Sequence, residues 1–323
     1  MKILVTGGAG YVGSALVGLL LRAGHEVRVL DALLYGGDSL LSVWSDPAFE
    51  FVRGDIRDPV VVGPALSGME AVVHLAAVVG DPACAREPAL AREVNLDASV
   101  ALIAAAERSG VRRFVFASTC SNYGRMEDPE GYVTEDSPLT PVSLYAETKV
   151  AVERALLAPG RQQKMTATAL RFATVFGVSA RMRFDLTVNE FTLAMLRDRR
   201  LVVYGEQFWR PYVHVRDVGR AVALTLEASS GLVAGRVFNV GSTEENYQKR
   251  QLVNLILPYA PDAEVEYVER LEDPRDYRVS FARIREQLGF EITATVPDGI
   301  REVARLVGIG IRVPSAQPAG AAA

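Results

Sequence analysis

Cysteine and histidine are scarce in this chain of 323 residues, with two of the first, Cys84 and Cys120, and three of the second, His25, His74 and His214. Two thiols cannot build a disulfide framework and the scattered imidazoles lack metal-ligand spacing, so no metal site is expected. Charge of one sign never accumulates: 35 basic residues face 39 acidic ones, for a net charge of −4. Without a run of like charges, nucleic acid and anionic membrane are poor partners. No apolar run approaches the roughly 20 residues that span a bilayer. The strand-like "KILVT" starts at Lys2 and leaves no room for a signal peptide before it, so a cytoplasmic protein is expected. What remains is an ordinary globular balance, 49% apolar and 23% charged, in a chain long enough for one large domain or two closely joined ones.

Short β-branched runs alternate with helical patterns through the first half. "KILVT", "EVRVLD", "FEFVRGD", "AVVHLAA", "RFVFAS" and "TATALRF" read as strands. Between them, "VGSALVGLLLRAG", a short helix after Asp58, a long one over 88–109 and "SLYAETKVAVERALLA" read as helices. Strict alternation predicts an α/β fold with a doubly wound parallel sheet covered on both faces. After Gly177 the rhythm breaks, and only "YVHV" with its helix and "RVFNVG" return to it. We therefore expect a dinucleotide-type domain over 1–174 and 210–242 and a smaller α+β substrate-binding lobe over 175–209 and 243–312. The tail 313–323, "VPSAQPAGAAA", is too poor in large apolar groups to pack and is expected to be disordered.

"TGGAGYVGS" places Gly7, Gly10 and Gly13 between a predicted strand and a predicted helix. Glycines there let the backbone turn sharply and approach a pyrophosphate, whose charge rests on the helix N-terminus. Asp31 ends the next strand, 18 residues after Gly13, where a carboxylate accepts hydrogen bonds from a ribose and repels a 2′-phosphate. A Rossmann-like domain binding NAD rather than NADP is expected. Further on, "YAETK" puts Tyr145 and Lys149 on one helix face. A neighbouring ammonium and a positive nicotinamide ring both favour a phenolate, so Tyr145 could take a hydroxyl proton while hydride leaves the same carbon. Taken alone, such a pair is also an ordinary helix-surface pairing.

In this order the motifs resemble the extended short-chain dehydrogenases/reductases of the nucleotide-sugar epimerase/dehydratase family. The resemblance rests on "TGGAGYVGS", Asp31, "GDIRD", "HLAA", "STCSNYG", "YAETK", "LRFATVFG", "RPYVHVRDV" and "IREQLGF". It implies that Tyr11 and Val12 of the glycine loop, Asp55, Ile56, Leu75, Ala76 and Ala77 line the NAD. Tyr145 would be the base, Lys149 would hold the nicotinamide ribose, and Thr119 would bond the reacting sugar oxygen. Arg210, with Arg275 as a second clamp, would grip the diphosphate of a nucleotide-diphosphate sugar. A homodimer paired through the helices at 88–109 and 143–158 is also implied. Asn95 is expected to be structural, and His74 and His214 to be core or cofactor-wall residues.

The dehydratases of that family carry an acidic pair where this chain has Cys120 and Ser121. The departure favours an epimerase, most simply one acting at C4 through a 4-keto sugar. Three roles for Cys120 stay open: packing at the strand end, a catalytic acid, or a redox or metal partner of Cys84. The loop "VVGDPACAREP" is unlike that of simple 4-epimerases and leaves Asp81 and Cys84 able to face the sugar. Ser121 and Asn189 are further substrate candidates, and Arg181, Arg183 and Asn189 face either substrate or solvent. Alternatives to the epimerase are a dehydratase with Cys120 as acid, a sugar reductase or dehydrogenase, and a non-catalytic NAD-sensing protein.

Overall fold

A computed structural model describes residues 1–126, 128, 131–159, 165–269 and 275–310; the expectation for the tail lies outside them. The strands are β1 (Lys2–Thr6), β2 (Glu26–Asp31), β3 (Phe49–Arg53), β4 (Ala71–His74), β5 (Arg113–Thr119), β6 (Thr166–Phe172), β7 (Thr174–Phe176), β8 (Arg200–Tyr204), β9 (Trp209–His214), β10 (Arg236–Val240), β11 (Asn246–Gln248) and β12 (Glu264–Val268). Seven of them form one sheet in the order β10-β6-β5-β4-β1-β2-β3, parallel throughout. Its central strands are almost wholly buried, as a sheet covered on both faces requires. The order reverses between β1 and β4, which opens a crevice at their carboxyl ends.

Two apolar layers enclose the sheet. On one face Leu16, Val17 and Leu20 of the helix Tyr11–Arg22 pack with Val218, Ala221 and Val222 of the helix Val215–Glu227. On the other, Leu66, Leu102, Ile103, Val152 and Leu156 come from helices Pro59–Leu66, Ser99–Arg108 and Leu144–Leu156. Each fully buried aliphatic side chain contributes roughly 1.5–3 kcal/mol. A separate cluster, including Val188, Phe191, Leu252 and Ile300, forms the core of a smaller lobe. That lobe contains the sheet β11-β9-β7 and the pair β12-β8.

Two details differ from the expectation. β9 pairs with β7 and β11 rather than with the main sheet, so only the helix that follows it returns to the large domain. The long helix at 88–109 is three pieces, Pro88–Arg92, a π-helical turn over Glu93–Ala98 and Ser99–Arg108. The widened turn holds Asn95 buried, pointed at the loop that follows β4.

Candidate active site

The loop between β1 and its helix is shaped for close approach. Gly7 has φ of +74°, and a Cβ there would lie 2.8 Å from the amide nitrogen of Ala76. A Cβ on Gly13 would lie 2.2 Å from the carbonyl oxygen of Gly7. The helix starts at Gly10 with no side-chain cap and no acidic residue in its first turn, so its leading N–H groups suit an anionic ligand. Asp31 accepts hydrogen bonds from Ala9 N at 3.0 Å and Leu33 N at 2.8 Å, which fixes its carboxylate beside that loop. Leu75 and Ala76 border the loop from the end of β4, with Leu75 N donating to Thr6 O at 3.1 Å and Ala76 N to Thr6 Oγ1, and Ala77 follows them in the chain. Ile56 is buried, while Asp55 is held by Arg57, whose hydrogen bonds keep its carboxyl below the usual range. Val12 packs partly buried on the core. The donor set fits a dinucleotide.

Tyr145 and Lys149 sit in the first two turns of the helix Leu144–Leu156, capped by Ser143. The pair is not directly bonded: Lys149 Nζ donates to Ala117 O at 2.8 Å and lies 5.8 Å from the Tyr145 ring centroid. Enclosure by protein pushes the Tyr145 phenol above its ordinary range, opposed first by the positive charge of Arg183. Burial pulls the Lys149 ammonium down to about 8. The sign of this effect on stability is definite. Between about pH 8 and 10.5 the unfolded chain holds a proton that folded Lys149 has released, so the lysine's contribution to stability rises with pH. Lys149→Met should therefore melt above the wild type at pH 7 by a margin that narrows at pH 10, as thermal unfolding at the two pH values would show.

Thr119 ends β5, and its Oγ1 accepts from Ser121 N at 3.1 Å. Ser121 is half-buried and bonds Tyr277, over whose ring the Arg210 guanidinium lies at 5.5 Å. Arg275 acts on the same tyrosine, so strand end, Arg210 and Arg275 converge. Tyr277 was not anticipated; its only sequence signal is its place beside Arg275. Arg183 was left open, and the structure turns its charge on Tyr145 while Asp185 pairs with it at 3.0 Å.

The remaining residues singled out in the sequence are held by protein partners. Asn189 is fully buried: its Oδ1 accepts from Gly177 N at 3.0 Å, and its Nδ2 donates to Arg183 O at 2.9 Å and Tyr11 Oη at 3.2 Å. Tyr11 likewise turns its hydroxyl to Gly177 O at 2.6 Å, joining the two lobes. Cys120 is buried, with Sγ donating to Arg171 O at 3.3 Å, and burial pushes its thiol well above the ordinary range. Cys84 is buried separately, donating to Val78 O at 3.4 Å. His74 is locked between Thr6 and Ser99, at 2.7 and 2.9 Å, and burial holds it neutral with a pKa of about 3. His214 bonds Glu302 at 2.8 Å. No group of three or more candidate metal ligands occurs among the described residues, and no helix among them is long and apolar enough to cross a membrane.

This geometry has close counterparts. A dTDP-glucose 4,6-dehydratase of Streptomyces griseus is 33% identical over 308 residues, covering 92% of this chain and 91% of the relative. A UDP-glucose 4-epimerase of Mycolicibacterium smegmatis is 34% identical over 308 residues, covering 93% and 96%. The crystal structure of the dTDP-glucose 4,6-dehydratase DesIV of Streptomyces venezuelae, with NAD and TYD bound, superposes with a TM-score of 0.85 at 30% identity over 96% of this chain and 98% of that one. Residues 3–241 match the family model described as "NAD dependent epimerase/dehydratase family". The chain therefore belongs to the NAD-dependent epimerase/dehydratase family.

Proposed function

We propose that the enzyme is a nucleotide-sugar epimerase acting at C4. The observation that carries this reading is the end of β5. Cys120 is sealed into the core against the Arg171 carbonyl, and its neighbours Thr119 and Ser121 carry no carboxylate. A thiol so buried cannot protonate a leaving hydroxyl, and elimination of water needs an acid at that place.

Tyr145 takes the proton from the sugar's 4-hydroxyl, with Thr119 bonding the same oxygen. The Lys149 ammonium and the Arg183 guanidinium favour the phenolate that this requires. Bound NAD supplies reversible hydride acceptance at the carbon bearing that hydroxyl. Arg210 and Arg275 hold the diphosphate, anchoring the nucleotide while the 4-keto sugar turns. Tyr145 then returns the proton, so the product has the mass of the substrate. The family resemblance further suggests a cytoplasmic homodimer, joined through the helices at 88–109 and 143–158.

The relatives include dehydratases as well as epimerases, and the test separates the two. Purified enzyme is incubated with UDP-, dTDP- and GDP-sugars and the products are weighed and resolved by chromatography. An epimer of unchanged mass is expected, and Cys120→Ala should keep kcat within roughly two-fold. A product lighter by one water, formed by wild type and lost in Cys120→Ala, would overturn the proposal in favour of a dehydratase with a thiol acid.

A further inference from the structure

The segment "VVGDPAC" after β4, which runs into the helix Asp81–Arg86, takes no part in the reaction above, yet it is firmly held. Asn95 bonds both polar groups of the Val78 backbone, at 2.7 and 2.9 Å, and Cys84 donates to the same carbonyl at 3.4 Å. This braced segment presents Asp81, the first residue of that helix, where three elements meet. One carboxylate oxygen lies 2.8 Å from Arg275 Nη1. The other accepts from Ser143 Oγ at 2.7 Å, and Ser143 is the cap of the Tyr145 helix. The side chains of Asp81 and Arg275 are 26% and 37% exposed, and an ion pair this open is weak enough to exchange.

The Nη1–Nη2 edge of Arg275 includes the donor that Asp81 holds, so a phosphate gripped on that edge competes with the carboxylate, and a bidentate phosphate is the stronger acceptor. We propose that Asp81 is a positioning residue that holds Arg275 against the cap of the Tyr145 helix until the diphosphate of a nucleotide sugar takes the arginine in its place. The inference rests on the reading of Arg275 as a diphosphate clamp. It explains why an acidic residue stands at the mouth of a site for an anion: the carboxylate keeps the arginine oriented and is displaced when the ligand arrives. Once Arg275 has left, Asp81 keeps Ser143 and its own negative charge, which opposes ionisation of Tyr145.

The test uses NAD-loaded enzyme and whichever of UDP, dTDP and GDP binds most tightly, with affinity measured by titration calorimetry. Asp81→Asn preserves shape and removes the charge. It should tighten nucleoside diphosphate binding roughly 3- to 5-fold, the scale of one partly exposed ion pair. It should also move the acid limb of kcat to lower pH, which a purely structural lesion would not do. Asp81→Ala should tighten binding in the same direction, and neither substitution should do so in an Arg275→Ala background. Unchanged or weaker binding by both Asp81 variants overturns the exchange while leaving the clamp intact, provided Arg275→Ala weakens binding. If Arg275→Ala leaves affinity unchanged, the clamp itself is wrong and the exchange falls with it.

Discussion

Tyr145→Phe should lower kcat by roughly 10²- to 10⁴-fold, the usual worth of a positioned general acid–base, and leave NAD in the purified protein. The phenyl ring keeps the volume and the packing, and the glycine loop and Asp31 that fit the dinucleotide are untouched. Only the proton-transferring oxygen is lost. Because the phenol of the free enzyme is held above its ordinary range, the wild-type rate should also rise with pH before Lys149, at about 8, begins to lose its charge. Single-turnover reduction of bound NAD, read by absorbance, checks the first point, and a pH series checks the second. A variant within ten-fold of wild type would assign the proton to another group, with Thr119 the first to examine.

The site was most legible in the sequence where it is local. The glycine spacing and the four-residue step from Tyr145 to Lys149 are properties of one turn and one helix, and the structure forms both. Elements that depend on distant partners were less legible. Asn189 is a polar residue at the edge of the site in sequence, yet its amide closes the Gly177 turn. Which way Cys120 points depends on the β5–β6 pairing that sets Thr119 opposite Phe172, and no neighbour in sequence reports it. β9 looked like a strand of the main sheet because "YVHV" has the right composition, whereas its edges meet β7 and β11. Strand character is local; strand partners are not.

Glu153 is the residue whose importance sequence reading understated most. It lies one turn beyond Lys149, and the i, i+4, i+8 step from Tyr145 put it on the same inward face. There it accepts from Arg171 Nη2 at 2.7 Å and Nε at 3.1 Å, from Asn122 Nδ2 at 2.9 Å, and from Ser118 Oγ. The side chains of Arg171 and Glu153 are 5% and 4% exposed, so water cannot replace a lost partner. Glu153→Gln should cost about 3–5 kcal/mol of unfolding free energy, because it strands a guanidinium in the core. Replacing Glu153 and Arg171 together by methionine should cost less than the sum of the single replacements, since the uncompensated charge vanishes with its partner. Urea unfolding of wild type, Glu153→Gln, the two single methionine variants and the double variant measures both, and additive losses would show that the pair is no unit. The network also reaches the chemistry. Glu153 helps to keep Lys149 protonated, so in Glu153→Gln the alkaline limb of kcat should shift to lower pH, whereas damage confined to the core would leave that limb in place.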